Sequence, residues 1–167
     1  PPFFSPTQRR HALAAAGVEL VVSDRPDRLH DELGGWLGPT VALPFAVRPA
    51  AALRLGSAMP GAAVTLPGDV RKITFTSGTT GSPKGVPLRK PQIDAVVASL
   101  VNATGMTAHD THLALTPFAV LLENVGGLYV SLSVGARVAL RPIAEVGMQG
   151  GAGVDGERLA AACGEAR

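Results

Sequence analysis

TFTSGTTGSPKGVPL, residues 74–88, decides how the chain is read. From Thr76 to Gly85 its ten positions hold three glycines, five hydroxyl side chains (Thr76, Ser77, Thr79, Thr80 and Ser82) and one lysine, Lys84. An apolar stretch before it and a helical pattern after it make this a polar loop between regular elements. Glycine lets backbone turn sharply and lets its N–H groups approach a ligand. Convergent N–H groups make a concavity for anions. Hydroxyls add donors without adding negative charge, and Lys84 supplies a positive charge on a flexible stem. All three features favour phosphate oxygens. The nucleotide-hydrolase loop, G-x-x-x-x-G-K-S/T, is excluded: counted from Gly78, its second glycine falls on Pro83, and Lys84 is followed by Gly85. No G-x-G-x-x-G occurs within residues 74–88 either. The structural alternative is a flexible loop with a solvated lysine.

Working outward, the chain reads as alternating helices and strands. Residues 6–16 form an Ala-rich helix stopped by Gly17, and 18–23 a strand. Asp27 caps a helix reaching Leu37, with Leu29, Leu33, Trp36 and Leu37 at helical spacing. Residues 40–43 are a short strand. Pro44, Pro49, Pro60 and Pro67 break the rhythm, so 44–69 reads as a connection. Residues 72–76 are a strand leading into the loop. Pro91 sits in the first turn of the next helix. Its stripe of Ile93, Val96, Val97, Leu100 and Val101 is ended by Gly105. Strands follow at 112–116 and 137–140, either side of a buried helix at 121–134. Glycines make most of the tail after Ile143 a loop, with a helix from Glu157 to Cys163. This alternation predicts the α/β class, with a mostly parallel sheet flanked by helices.

Composition narrows the function classes. The 167 residues are 46% hydrophobic and 17% charged, which excludes a disordered chain and suits one domain with its own core. A net charge of +2 gives no case for a nucleic-acid partner. Cys163 is the only cysteine, so no internal disulfide or thiolate cluster forms, and a reducing cytoplasm is expected. His109 and His112 are spaced for a metal only on a helix, and their segment reads as a loop entering a strand, so no metal site is expected. The start, PPFFSPTQRRH, lacks the pattern of a signal peptide. Glu123 and Arg137 interrupt the longest apolar segment before it reaches a membrane span.

TFTSGTTGSPKGV closely resembles the phosphate-binding signature of the adenylate-forming superfamily, Y/F-T-S-G-S/T-T-G-x-P-K-G-V. That superfamily holds acyl-CoA synthetases, adenylation domains of nonribosomal peptide synthetases and beetle luciferases. The resemblance extends over the whole chain. PTQRRHALAAAGVELVVSD is similar to the family's early helix and strand, and Leu115–Phe118, Leu121–Val134 and Gly135–Leu140 to its proline turn, apolar helix and "GA-x-V-x-L" strand. It implies that residues 1–167 are a partial AMP-binding domain, a slice of an acyl-CoA synthetase-like N-terminal domain truncated at both ends.

The resemblance further implies a carboxylic acid activated by ATP with Mg2+, giving an acyl-adenylate and pyrophosphate. The acyl group then passes to a thiol, coenzyme A or a carrier protein. Thr76, Ser77, Gly78, Thr79, Thr80 and Gly81 would line the phosphates, and Lys84 would act on the β- and γ-phosphates as the catalytic cation. A fatty or aryl acid is the expected substrate. Two departures stand out. Where the family has an aromatic–histidine pair in P-x-F-H-x-x-G, this chain reads TPFAVLLENVGGLY, with Glu123 and Asn124 ahead of Gly126. Glu123 is then either a helix residue satisfied by its neighbours or a group near the acyl or thiol site. The family's Y-G-x-S/T-E and T-G-D motifs and its C-terminal catalytic lysine are absent, so the isolated chain is expected not to complete adenylation. Two rivals remain: a phosphate-binding module without catalysis, and a degenerate member kept for interactions.

Overall fold

The computed structural model describes residues 4–23, 26–43, 50–55, 64–76, 82–148 and 153–166. The chain forms two units: Pro1–Gly68 with Phe75–Pro87, and Asp69–Thr74 with Leu88–Arg167.

The first unit opens with helix α1, Pro6–Ala15. Ser5 caps it reciprocally: the Gln8 N–H donates to Ser5 Oγ (3.2 Å) and the Ser5 N–H to Gln8 Oε1 (3.0 Å). Pro6 occupies the first turn at no cost in hydrogen bonds. Strand β1 (Leu20–Ser23), helix α2 (Pro26–Leu33), a 3-10 turn (Gly34–Trp36) and strand β2 (Leu37–Leu43) follow. The helix expected to reach Leu37 ends at Leu33, because Gly34 (φ +46°) takes a left-handed turn that releases Leu37 into β2.

Strand β3, Ala50–Leu55, lies in the segment expected to be a connection. It inserts between β1 and β2 and pairs antiparallel with both, Val22 opposite Ala52 and Val41 also opposite Ala52 from the other side. The α/β class holds, but in this sheet the expected parallel order is replaced by antiparallel pairing, since the inserted strand runs opposite to both neighbours. Arg9 joins α1 to α2 through a fork on Glu32 (Nε to Oε2 and Nη2 to Oε1, both 2.6 Å). The Arg9 bond outweighs the opposing effect of burial and, with Arg28, holds the Glu32 carboxyl below the usual carboxylate range. Arg10 reaches the Glu32 carbonyl and lies 5.7 Å from the Trp36 ring centroid.

The chain passes between the units along β4 (Val70–Thr76) and β5 (Lys84–Arg89), which pair as a two-stranded sheet. In the second unit the Lys90 N–H donates to the Asp69 carbonyl (2.8 Å) and α3, Lys90–Thr104, begins. Gly105 (φ +67°) closes it, as its sequence pattern requires. Strands β6 (Thr111–Leu113) and β7 (Arg137–Ala139) form the parallel pair, His112 opposite Val138. Between them lie a π-helical segment, Glu123–Tyr129, and helix α4, Val130–Val134. β6 is shorter than the expected 112–116 because the Leu115 and Thr116 N–H groups turn out of the ladder towards Glu123. Helix α5, Gly156–Glu165, is capped by Asp155, whose Oδ1 accepts from the Arg158 N–H (3.2 Å). Val130, Ser131, Val146 and Ala162 are fully or nearly fully buried at the core of this unit.

Candidate functional site

The two ends of the glycine-rich stretch are carried by paired strands. Thr76 is the last residue of β4 and Lys84 the first of β5, and both are exposed. Ser77, Gly78, Thr79, Thr80 and Gly81 lie outside the described residues. Lys84 was expected in a loop feeding a helix. Instead β5 intervenes and α3 starts only at Lys90, because GVPLR extends alongside β4. Among the described residues no carboxylate pairs with the Lys84 ammonium. Among the described residues it is therefore a positive charge without an acidic partner, and in the sequence it closes a run of hydroxyl and glycine residues.

Pro83, directly before Lys84, is buried. Its carbonyl accepts a hydrogen bond from His11 Nε2 on α1 (3.0 Å). Sequence reasoning missed this contact, and nothing local signals it, because 72 residues separate the partners.

A second polar cluster occupies the second unit. Glu123 is 8% exposed and carries four partners. His112 Nε2 stands 2.5 Å from Oε1, while Oε2 accepts from the N–H groups of Leu115 (3.1 Å) and Thr116 (3.0 Å) and from Thr116 Oγ1 (3.1 Å). Burial pushes the carboxyl pKa up, but the bonds from His112, Thr116 and Leu115 together outweigh it and hold the group below the usual range. Of the two readings open for Glu123, the geometry is that of a helix residue satisfied by its neighbours. Next to it, the Lys72 ammonium donates to Asn124 Oδ1 and stands 5.7 Å from the Tyr129 ring centroid. Both partners are neutral, and burial pushes the Lys72 pKa down. The π-helical geometry makes this convergence possible. Residues five apart share a face when bonds run i to i+5, whereas in an α-helix they point apart. Among the described residues no three His, Cys, Asp or Glu side chains converge on a metal-sized site. No helix among them is long and apolar enough to cross a membrane.

The sequence pattern of the AMP-binding enzymes matches residues 1–150. The chain belongs to the AMP-binding enzyme family. Its helices and strands are a partial slice of the α/β N-terminal domain of the adenylate-forming superfamily. Relatives of this AMP-binding chain include the mitochondrial malonate–CoA ligase of Homo sapiens, 40% identical over 70 residues that cover 42% of this chain and 12% of that protein. A methyl-dioxo-octahydro-indenyl propanoyl:CoA ligase of Rhodococcus jostii is 33% identical over 85 residues, 51% of this chain and 16% of that protein. Among solved structures, the adenylation domain of a keto acid-selecting NRPS module bound to keto acyl adenylate matches 56% of this chain and 16% of its own, at 23% identity and a TM-score of 0.43. The match thus spans 12–16% of the length of these two curated relatives.

Proposed function

We propose that this chain supplies the triphosphate-binding part of an ATP-dependent acid–thiol ligase, which forms an acyl-adenylate and then a thioester. One observation carries the reading: the signature string lies across the β4–β5 pair, with Lys84 exposed at the strand start and unpaired among the described residues. Backbone and hydroxyl donors of Thr76, Ser77, Gly78, Thr79, Thr80 and Gly81 cradle the phosphates. Lys84 binds β- and γ-oxygens and stabilises the charge that gathers on departing pyrophosphate as the acid's carboxylate attacks the α-phosphorus. Donors that converge on the phosphates would contribute orientation as well as charge. Mg2+ arriving on the ATP oxygens would neutralise further charge. The described residues offer it no ligand set of their own, so this chain's part is the donors and the lysine. Coenzyme A is the proposed acceptor, supported by the CoA ligases among the relatives, and a fatty or aryl acid is the proposed first substrate class to test.

ATP–pyrophosphate exchange by the intact gene product, screened over fatty and aryl acids, tests the reading. Turnover with at least one acid is expected, with about a hundredfold loss of kcat/KM for ATP in Lys84→Ala, the scale seen when one charge-stabilising donor is removed. Exchange that is unaffected by Lys84→Ala overturns it. Coenzyme A-dependent release of AMP from the accumulated adenylate then tells a free thiol acceptor from a carrier protein.

A further inference from the structure

We propose that His11 is a positioning residue for Lys84, an inference that rests on the reading of residues 76–84 as the phosphate site. The His11 Nε2–H donates to the Pro83 carbonyl at 3.0 Å. A carbonyl oxygen only accepts, so the ring carries its proton on Nε2. The Pro83 carbonyl and the Lys84 N–H belong to one rigid peptide plane. Fixing that oxygen fixes the plane, and the plane sets the direction in which the Lys84 side chain leaves the backbone. The proline ring restricts the rotation on the other side of the carbonyl carbon's residue.

The platform behind His11 is itself fixed. The Ser5–Gln8 capping box closes the start of α1, and the Arg9–Glu32 fork ties α1 to α2. Arg10 adds bonds to the Glu32 carbonyl. A continuous chain of directed bonds therefore runs α2, Glu32, Arg9, α1, His11, Pro83, and ends one residue before Lys84. A lysine loses rotamer freedom when it is ordered on a ligand. A backbone already held at its base removes part of the search, and the gain appears when a phosphate is bound.

Three variants of the intact gene product test this: His11→Leu, which removes the donor; His11→Gln, whose amide supplies an N–H at similar reach; and Lys84→Ala. ATP–pyrophosphate exchange should show kcat/KM for ATP falling about tenfold in His11→Leu, the scale of one hydrogen bond. KM for the acid should stay unchanged, and His11→Gln should recover to within about twofold. In the Lys84→Ala background, His11→Leu should add almost nothing, because it acts through that side chain. Equal losses in both backgrounds, or no rescue by Gln, overturn the proposal and leave His11 a structural group. Amide hydrogen exchange decides the matter without ATP. His11→Leu should speed exchange in the peptide spanning 84–87 and His11→Gln should not, and an unchanged rate in His11→Leu overturns the tether. If Lys84→Ala leaves exchange chemistry untouched while amide exchange still responds to His11, the phosphate reading falls and the tether stands.

Discussion

Glu123 holds a charge in a place that exposes 8% of the residue, and its four partners make that tolerable. A carboxyl whose folded pKa lies below its unfolded value stabilises the fold above the unfolded pKa. That contribution is lost as pH falls through the folded value. Glu123→Gln cannot ionise, so the difference in stability between the two proteins isolates this group, even though Glu32 titrates in the same direction in both. At pH 7 the substitution is expected to cost about 2 kcal/mol, the loss of charge-assisted bonds plus an amide N–H set against other donors. The gap should shrink as pH falls below the range of an unfolded carboxyl and through the lower folded value, where the wild-type carboxyl protonates. Urea unfolding midpoints at neutral and acid pH measure both. A gap that widens in acid would show that the carboxyl is bound as the neutral acid. Sequence alone left the role of Glu123 open. The residues that settle it, His112, Leu115 and Thr116, precede it by seven to eleven positions and meet it only when β6 turns back.

At the scale of elements, the π-helical segment Glu123–Tyr129 depends on Gly127. A Cβ there would overlap His112 Nε2 and Glu123 Oε1, both part of the cluster that fixes the segment. Gly127→Ala is therefore expected to destabilise by about 3 kcal/mol, at the upper end of overpacking costs, because two hydrogen-bonded side chains, one of them buried, must shift together. Ser5→Ala, which removes only the cap of α1, should cost about 1 kcal/mol. Thermal unfolding ranks the two, and a Gly127→Ala protein as stable as Ser5→Ala would refute the close approach. Elements with strong local patterns were legible in the sequence. The stripe Ile93, Val96, Val97, Leu100, Val101 and the stop at Gly105 gave α3 as observed. β3 and β5 were not. AAALRL is alanine-rich and follows a proline-broken stretch, and KGVPLR carries Gly85 and Pro87, residues that read as loop. Both become strands because a partner strand pairs with them, and such pairing leaves no local trace. The loop's hydroxyl, glycine and lysine content is plain in its residues, whereas the contact of His11 with Pro83 is not.

At the scale of the whole chain, charge and apolar surface point to different behaviours. The net charge of +2 gives weak long-range repulsion between copies. The second unit, meanwhile, carries a groove of about 350 Å³ lined by Ile93, Val96, Leu100, Leu121, Leu122 and Val125. Leu122 is 77% exposed, and Val96 48%. α3 buries none of its residues fully, although its stripe is the clearest apolar face in the sequence. Covering that stripe is favourable by roughly 25 cal/mol for each Å² removed from water, whichever surface covers it. Exposed apolar patches of this kind drive association when nothing else occupies them. The 167-residue chain by itself is therefore expected to self-associate with rising concentration in sedimentation experiments. Salt at ~0.5 M should not reverse this, since screening over a few ångströms weakens charge contacts and leaves apolar ones intact. Val96→Gln with Leu122→Gln should shift the chain towards monomer without altering helix content, because both side chains face the groove and neither is buried in the core. Association that melts in salt, or that the double substitution leaves unchanged, would assign it to charged surface instead and leave the groove without a part in it.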